Sequence, residues 1–319
     1  MYQSTAQLKI FEIFSTDPYR NIAIESYFLK HIGENEVILY LWSNERTVVI
    51  GRNQNIWREC NVETLLADGG HPVRRLSGGG AVYHDSGNLN VTFITKKALY
   101  DRSRQTEVIL DAARALGFDA EHTGRNDLCI GGRKFSGHSF HHDADRYFHN
   151  GTVLIRTDAE AMRRYLTPSR EKLESKSVTS VKSRTVNLSE LSPAISVSEV
   201  RGAIKNSFGR IYGGTPEMLD DSFFDPEDLA DIETRFRAED WTYNTAATFK
   251  DGWRRRYDWG EVDLQLKVSS GTITDCIVYT DALDTGIPER IKARIIGSRY
   301  SPAGIEGALD GLLTETHNR

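Results

Sequence analysis

The sequence predicts an α+β protein with a large domain and a small α+β accessory domain at the C-terminus. A chain of 319 residues is long for one domain and short for three, which favours one large unit with an appendage. Short β-rich runs and helical patterns follow one another along most of the chain. Past Trp241 the pattern changes to a hairpin that alternates apolar and polar residues, which marks the start of the small unit.

The first fifty residues predict a strand, a helix and a hairpin. Residues 9–14 alternate apolar and polar side chains, and after Asp17 the apolar residues recur at helical spacing. Residues 37–42 and 47–50 are β-rich runs joined by three polar residues. We expect these two runs to form a hairpin that ends at Gly51.

The middle of the chain predicts further strands, further helices and one long loop. β-rich runs interrupted by glycine lie between residues 72 and 94, and a second β group spans residues 128–155. Asp158 is a candidate helix cap, and Pro226 suits a first helical turn. The predicted helices cover residues 106–116, 159–166, 197–212 and 226–237. The stretch 172–187, rich in Ser, Lys and Thr, predicts a loop, and long loops in compact domains are commonly functional.

The C-terminal region predicts a hairpin covered by two helices. Residues 262–268 alternate apolar and polar side chains, and a second β-rich run spans residues 273–280. Helices near residues 288–295 and 303–313 would cover one face of this hairpin. The predicted division is a catalytic domain over residues 1–243, a linker over 244–251 and an accessory domain over 252–319.

Composition and charge exclude several classes of protein. A formal net charge of -5 argues against a general nucleic-acid binder, which needs an excess of clustered Lys and Arg. Cys60, Cys129 and Cys276 lie far apart, so neither a disulfide framework nor a zinc cluster is predicted. The N-terminus does not match a secretory signal, and no apolar run is long enough for a membrane span. We therefore expect a cytoplasmic protein.

Three consecutive glycines lie within RRLSGGGAVYHDSGNLN, residues 74–90. Glycine costs backbone entropy and buries no side chain, so such a run indicates that another group approaches the backbone closely. Arg74, Arg75 and Ser77 precede the run, and backbone N–H groups beside a guanidinium bind anions such as phosphate. A glycine-rich turn in a β-sheet is the alternative interpretation. The P-loop and dinucleotide-binding patterns are both missing, so a nucleotide bound here would use another scaffold.

A lysine flanked by glycines on both sides lies within GRNDLCIGGRKFSGHSF, residues 124–140. In a regular strand, alternation would place Lys134 and Ser136 on one face and Phe135 on the other. Most lysines are simply solvated, but flanking glycines favour a close backbone approach around a fixed ammonium group. Such a lysine is able to bind a carboxylate and a phosphate at once.

Five segments occur in a specific order along the chain. They are NIAIESYFL (21–29), RRLSGGGAVYHD (74–85), GRNDLCIGGRKFSG (124–137), FHNGTVLI (148–155) and KSVTSVKSRTVNL (176–188). Together with the C-terminal hairpin, they resemble the lipoate-protein ligase A family, which shares a superfamily with biotin protein ligases and octanoyltransferases. Each fragment alone is weak evidence, whereas five in this order are very specific, and the resemblance extends over nearly the whole chain.

This resemblance implies an antiparallel β-sheet core flanked by helices, with ATP and lipoate in a shared tunnel. By position, Lys134 matches the lysine of the family that contacts both lipoate and ATP. The positions that match the nucleotide contacts of the family are Arg75, Gly80, Ala81, Val82 and Tyr83. Strand position places Trp42, Val49 and Val82 in the apolar sleeve expected around the lipoyl chain. His138 departs from the family, which often has a smaller residue there.

The activity implied by the resemblance is that of an ATP-dependent lipoate-protein ligase in lipoate salvage. The carboxylate of lipoate attacks the α-phosphorus of ATP to give lipoyl-AMP, and a lysine of an apo lipoyl-domain protein then takes the acyl group. The carriers would be dehydrogenase acyltransferase subunits and the glycine cleavage H protein, and octanoic acid is a second candidate substrate. Mg²⁺ would neutralise phosphate charge; its ligands stay unassigned, with Asp127 the nearest acid in the motif.

Other interpretations stay open. An octanoyl or lipoyl transferase would need no ATP and would use a cysteine, and Cys129 is the one near the predicted site, although its apolar neighbours favour a buried residue. A non-catalytic lipoate-binding protein would have lost Lys134 or Arg75, and this chain keeps both. A metal site would draw on four histidines, at positions 138, 141, 142 and 149, but the chain lacks a matching ligand pattern.

Overall fold

The computed structural model describes residues 6–123, 126–167, 185–243, 251–309 and 312. The described strands are β1 (Gln7–Glu12), β2 (Glu36–Trp42), β3 (Thr47–Ile50), β4 (His71–Arg74), β5 (Val82–His84), β6 (Asn88–Lys96), β7 (Ala120–Thr123), β8 (Asp127–Ile130), β9 (Arg133–Asp143), β10 (Arg146–Leu154), β11 (Glu217–Met218), β12 (Asp251–Tyr257), β13 (Gly260–Ser269) and β14 (Thr272–Thr280).

Helices connect these strands within the described residues. They are α1 (Pro18–His31), α2 (Ile56–Glu59), α3 (Val62–Ala67), α4 (Arg102–Ala115), α5 (Ala159–Tyr165), α6 (Leu188–Leu191), α7 (Val197–Tyr212), α8 (Pro226–Arg237), α9 (Glu239–Tyr243), α10 (Ile287–Ile295) and α11 (Pro302–Leu309), with 3₁₀ turns at Lys97–Leu99 and Asp221–Phe223. The predicted caps are confirmed, since the Asp158 side chain accepts backbone N–H groups at the start of α5 and Pro226 lies in the first turn of α8.

A mixed sheet of eight strands lies at the centre of the molecule. Its order is β11-β1-β2-β6-β10-β9-β8-β7. β1 runs parallel to β2 and to β11, and all the other neighbours are antiparallel. Helices cover both faces, because α1 and α8 pack into one hydrophobic core and α4 and α7 into another. The predicted α+β class with a mainly antiparallel sheet flanked by helices is therefore confirmed.

The predicted hairpin between residues 37–42 and 47–50 is wrong. β2 pairs with β1 and β6 in the central sheet, whereas β3 pairs with β4 and β5 in a separate sheet of three strands. Nearly every residue of both strands is buried, and strands buried on both faces are central strands that need partners on each side. Continuous burial, rather than the short polar connection, decides the pairing.

The residues from 251 to 309, together with Leu312, are called the C-terminal unit below. β12, β13 and β14 form its antiparallel sheet, and α10 and α11 pack against it around a hydrophobic cluster of its own. The predicted hairpin and its two covering helices are therefore confirmed. Residues 244–250 of the predicted linker lie outside the described residues, and Asp251 begins β12. The division into two domains at this point stays a prediction.

Most of the predicted loop at residues 172–187 lies outside the described residues, which resume at Thr185. From there the chain runs beside β9, where the backbone N–H of Val186 donates to the carbonyl of Lys134 at 2.9 Å. No helix among the described residues has the length and apolar character needed to cross a membrane.

Candidate active site

A cavity of about 750 Å³, called the central cavity below, lies between the central sheet, the β3–β5 sheet and the C-terminal unit. Six of the residues singled out from the sequence for ligand binding line it: Arg75, Gly80, Ala81, Val82, Tyr83 and Lys134. Trp42 and Val49, expected in the apolar sleeve, line it as well. Segments that are far apart in sequence therefore meet around one space.

The floor of the central cavity is formed by two adjacent cross-strand rows of the central sheet, of which Thr92 and Tyr40 do not line the cavity itself. The first row is Gly137, Thr152, Asn90 and Trp42, and the second row is Ser139, Asn150, Thr92 and Tyr40. Side chains two residues apart on a strand share a face, so both rows point to the same side. The rows cross four strands, β9, β10, β6 and β2, and thereby define a Lys134 end and a Trp42 end of the cavity.

Arg75 holds the glycine segment, Gly78–Gly80, in shape. Its Nη2 donates to the carbonyls of Gly78 and Gly80 at 2.7 and 2.8 Å, its Nη1 to the carbonyl of Val49 at 3.1 Å, and its Nε to Ser77 Oγ at 3.1 Å. Burial lowers the pKa of Arg75 only to about 10, so the guanidinium keeps its charge at neutral pH. This buried cation fixes the loop through protein acceptors.

Arg74 does not belong to the anion cradle expected from the sequence. Its guanidinium donates to five backbone carbonyls, at distances of 2.7 to 3.2 Å, on two segments of the chain. The acceptors are Gly51, Arg52 and Gln54 in the loop after β3, and Trp241 and Thr242 in α9. Arg74 therefore ties the end of the large unit to this loop.

The close backbone approach predicted for the glycines comes from the C-terminal unit. The backbone N–H of Gly79 donates to the carbonyl of Ala282 at 2.9 Å, and Gly79 has a φ of 90°, which favours glycine. A Cβ on Gly78 would overlap the carbonyl oxygens of Ala282 and Leu283. At least two of the three glycines thus serve the contact between the two units.

Lys134 lies at one end of the cavity because β9 carries an extra residue. The pairing of β8 with β9 shifts between Leu128 and Cys129, so that Cys129 pairs with Lys134 and Leu128 with Ser136. The predicted alternation of Lys134 and Ser136 on one face is consequently wrong. Lys134 extends over Gly137, toward the floor of the cavity, whereas Ser136 contacts His138 on the face covered by α4.

The ammonium group of Lys134 is paired with an acid. Its Nζ lies 2.6 Å from Asp127 Oδ1, and about a fifth of each side chain is exposed. A Cβ on Gly137 would overlap Nζ and Cε of the lysine, so the missing side chain makes room for it. The flanking Gly137 therefore permits a close approach, as expected, and the group that approaches its backbone is the Lys134 side chain.

A chain of buried hydrogen bonds, which the sequence did not reveal, runs along the floor. Ser77 Oγ lies 2.9 Å from Ser139 Oγ, which donates to Asn150 Oδ1 at 2.5 Å. Asn150 Nδ2 donates to Glu25 at 3.3 Å. Thr92 Oγ1 donates to Glu25 at 2.7 Å and accepts from Trp42 Nε1 at 3.1 Å. Burial raises the pKa of Glu25 to about 7.

The polar character of the floor departs from the apolar sleeve expected around an acyl chain. Glu25 lies in NIAIESYFL, three residues after Ile22, and both line the cavity from α1. The helical spacing of Ile22 and Glu25 was the available signal, but a glutamate on an otherwise apolar face is ordinarily read as the solvated edge of a helix. Its burial depends on the rows beneath it, which only the sheet register defines.

Of the candidate cysteine and histidines, His138 lines the central cavity, whereas Cys129, His141, His142 and His149 do not. Cys129 is buried, does not line the central cavity, and its Sγ lies 2.9 Å from Thr123 Oγ1. His138 and His149 form a buried pair, 2.8 Å apart between ring nitrogens, and burial lowers the pKa of His138 to about 3. Among the described residues, no group of three or more His, Cys, Asp or Glu side chains is arranged to hold a metal ion.

Comparison with known proteins agrees with this architecture. Residues 17–209 match the family model of the lipoyl protein ligase A/B catalytic domain, and residues 246–317 match the model of the bacterial lipoate protein ligase C-terminus. The first model alone covers more than half of the chain. The protein therefore belongs to the lipoate-protein ligase family, as the resemblance of its sequence motifs predicted.

Solved structures give the same result. The chain is 27% identical to LipL1 of P. falciparum, solved in complex with lipoate, with a TM-score of 0.81 over 97% of each chain. It shares its fold with a bipartite lipoate protein ligase from Thermoplasma acidophilum, at 22% identity and a TM-score of 0.64 over 77% of this chain and 100% of that one. A lipoate-protein ligase A bound with ATP matches at 21% identity and a TM-score of 0.64, over 74% of this chain and 98% of that one.

Proposed function

We propose that this protein is an ATP-dependent lipoate-protein ligase, which forms lipoyl-AMP and transfers the lipoyl group to a lysine of lipoyl-domain proteins. The single observation that carries the proposal is the position of the Lys134 ammonium group. It lies in the same cavity as the glycine segment, at one end of a floor that crosses four strands. An ammonium so placed is able to bridge the carboxylate of an acyl chain and the phosphates of a nucleotide.

The dimensions of the floor support an acyl chain of this length. Neighbouring strands lie about 4.8 Å apart, so the three steps from Gly137 to Trp42 span roughly 14 Å. An extended eight-carbon acid with its carboxylate at Lys134 would reach the Trp42 end. Val49 and Val82 provide apolar walls beside this path.

The nucleotide would lie at the Lys134 end. We assign its contacts to Arg75, Gly80, Ala81, Val82, Tyr83 and Lys134, all of which line the cavity. Arg75 would act largely by keeping the glycine segment in shape, because its guanidinium already donates to four protein acceptors. A lipoate-protein ligase A of the same fold was solved bound with ATP, which supports nucleotide binding by this protein.

The chemistry follows from that placement. A carboxylate oxygen of lipoate attacks the α-phosphorus of ATP, and pyrophosphate leaves with the electron pair of the broken P–O bond. On binding, the Lys134 ammonium would leave its ion pair with Asp127 and contact lipoate and ATP instead. There it would neutralise the charge that develops on the phosphoryl oxygens. The amine of the carrier lysine then attacks the acyl carbon, AMP leaves, and the nitrogen loses a proton to solvent as the amide forms. No nucleophile of the ligase takes part.

Mg²⁺ fits this site through the nucleotide rather than through a protein cage. Mg²⁺ is usually held by one or two carboxylates together with phosphate oxygens and water. Among the described residues no cluster of three metal-ligating side chains exists, so most of the ligands would come from the phosphates. Asp127 is the carboxylate that we assign to it, and the bound ion would supply neutralisation of phosphate charge.

Two further assignments accompany the proposal. We place the catalytic domain at residues 1–243 and the accessory domain at residues 252–319, in agreement with the separate hydrophobic cluster of the C-terminal unit. We also propose a cytoplasmic location, because Cys60, Cys129 and Cys276 are all free. Lipoyl-domain partners are supported by the T. acidophilum study, which describes a ligase together with its E2 lipoyl domain.

A transferase that carries the acyl group on a cysteine is the rival function. Cys129 is the cysteine nearest to Lys134 in sequence, and it is buried outside the central cavity. An acyl carrier has to reach both the donor and the acceptor, which a thiol enclosed in the sheet does not. We therefore do not propose a transferase function for this protein.

The test is a transfer assay with purified protein, ATP, Mg²⁺, lipoate and an apo lipoyl domain. We expect mass spectrometry to find one lipoylated lysine on the domain, together with AMP, and neither product when ATP is omitted. Modification of the domain from an octanoylated or lipoylated donor protein without ATP would instead establish a transferase. Lipoate binding without any modification would establish a binding protein.

A further inference from the structure

Two buried polar atoms at the Trp42 end of the cavity have no hydrogen-bond partner among the described residues. They are Nε2 of His84, a residue that is 3% exposed, and Nδ2 of Asn90, a residue that is 2% exposed. Both residues line the central cavity. Because both residues line the cavity, a ligand bound there is able to complete these two hydrogen bonds.

The hydrogen-bond chain behind His84 determines where its ring proton lies. Asn21 Nδ2 is within 3.0 Å of the backbone carbonyls of Ser15 and Ser43, so this atom is the amide nitrogen. Its two hydrogens are shared between these carbonyls and Asn44 Oδ1, which also lies at 3.0 Å, and Asn44 Nδ2 therefore faces His84 Nδ1 at 3.3 Å. Nδ1 therefore accepts, and the ring hydrogen is on Nε2.

The ring of His84 stays neutral in this position. Burial, with a smaller contribution from the charge of Arg75, lowers the pKa of His84 to about 3. A neutral ring with Nδ1 engaged as an acceptor presents one donor, at Nε2. Asn90 adds a second, because its Oδ1 accepts from Asn88 Nδ2 at 3.0 Å while its Nδ2 has no partner among the described residues.

The chemistry of these groups distinguishes between candidate acyl ends. A terminal methyl group accepts no hydrogen bond, so a hydrocarbon chain would leave both donors buried and unsatisfied, which is costly. The sulfur of a cyclic disulfide is a weak acceptor, and polarisable sulfur also packs favourably against aromatic rings. The rings of Trp42 and His84 meet edge to face, 6.0 Å apart, and provide such a surface.

We propose that His84, assisted by Asn90, determines specificity at the Trp42 end by donating from Nε2 to a sulfur atom of the dithiolane ring. The protein then prefers lipoate to octanoate. This inference rests on the proposed ligase function and names the acyl substrate that the same site favours. His84 acts on binding of the chain end and not on the chemistry at the carboxylate.

The experiment compares kcat/KM for AMP formation with lipoate and with octanoate, in the presence of Mg²⁺, ATP and an apo lipoyl domain that accepts the acyl group. His84→Asn keeps a group at the position of Nδ1, which faces Asn44, and removes the donor at Nε2. We expect the ratio of kcat/KM for lipoate to kcat/KM for octanoate to fall about tenfold. In the wild type octanoate leaves the Nε2 donor unpaired, and a variant without this donor no longer has that cost. His84→Gln places an amide nitrogen near the position of Nε2, and we expect it to recover most of the ratio.

A matched control changes the same row at its other end. Thr152→Val removes a hydroxyl near Gly137 and should affect the two acids equally, so the ratio stays at the wild-type value. An unchanged ratio in His84→Asn, with both acids still giving AMP and thermal unfolding close to wild type, would overturn the inference and leave the ligase intact. If His84→Asn unfolds, Asn90→Ala gives the same test through the second donor. Absence of AMP with either acid in the wild-type protein would overturn the proposed function itself.

Discussion

The two ends of the central cavity hold polar groups that are satisfied in different ways. At the Lys134 end the ammonium is paired with Asp127, and the guanidinium of Arg75 donates to four protein acceptors. At the Trp42 end, His84 and Asn90 each carry a buried donor that has no partner among the described residues. A ligand that binds at the Lys134 end must replace existing protein partners. A ligand that binds at the Trp42 end supplies hydrogen-bond partners that the protein does not provide there.

This difference agrees with the separate tasks that we propose for the two ends. Exchange of one charged partner for another costs little net free energy, so the Lys134 end is suited to contacts that strengthen as charge develops during the reaction. Unsatisfied donors favour an acyl chain whose end accepts a hydrogen bond over one whose end does not. The Trp42 end is therefore suited to selection between acyl chains. The predictions below start at the Lys134 end, where the largest effect is expected.

Lys134→Ala should have the largest effect. Removal of one charged contact to a developing oxyanion lowers the rate by roughly 10²–10³, and we expect a loss of this size in lipoate-dependent release of pyrophosphate. The control is Arg133→Ala, which removes a neighbouring, partly exposed cation paired with Glu190 and should leave the rate unchanged. Pyrophosphate release at the wild-type rate in Lys134→Ala would exclude the proposed role of the lysine.

Glu25→Gln tests the floor that joins the two ends. Burial raises the pKa of Glu25 from 4.5 to about 7, so between these values the unfolded chain releases a proton that the folded protein retains. The free energy of unfolding of the wild type should therefore fall as pH rises from about 4.5 to about 7. The Gln variant has no titrating group at this position and should not show this fall. Relative to the wild type, the variant should gain roughly 3 kcal/mol over this interval.

Urea unfolding of both proteins at about pH 4.5 and about pH 7.5 measures this difference. The same difference in unfolding free energy at both values would show that Glu25 does not retain its proton in the folded protein. Asn150 and Thr92 donate to the same carboxyl group and would keep an acceptor in the Gln variant.

The sequence predicted the helices and the gathering of the motifs better than it predicted the strand partners. The helix predicted over residues 197–212 matches α7 at both ends, because a capping box at Ser196 and a glycine at 213 mark its limits locally. The hairpin after residue 37 was wrong because pairing depends on which distant strands flank each run. No local pattern carried that information.

The same distinction applies to the site. The six motif residues that line the cavity were identifiable from the sequence because their segments resemble a family. The extra residue in β9, which turns Lys134 toward the cavity, was not, because a bulge becomes apparent only when β8 and β9 are placed side by side. The buried role of Glu25 and the unpaired donor of His84 likewise depend on contacts between segments far apart in the chain.

Gly137→Ala should have a smaller effect than the two changes above, because it displaces the ammonium without removing it. The added Cβ would overlap the end of the Lys134 side chain, which is able to move aside. We expect the rate of lipoyl-AMP formation to fall about ten- to a hundredfold, because a displacement near 1 Å has effects of this size.

The control for this change is Gly202→Ala in α7. No atom lies within 4 Å of the added Cβ there, so the rate should not change, while the free energy of unfolding should rise by about 0.5–1 kcal/mol. A rate in Gly137→Ala equal to that of Gly202→Ala would show that the ammonium position does not matter.

The most direct measurement is exchange of labelled pyrophosphate into ATP by the purified protein with Mg²⁺ and no carrier. If carboxylate and nucleotide meet at the Lys134 ammonium, lipoate should start the exchange, and the label should appear in ATP only when lipoate is present. Exchange that does not depend on lipoate, or no exchange while lipoate is bound, would contradict the account.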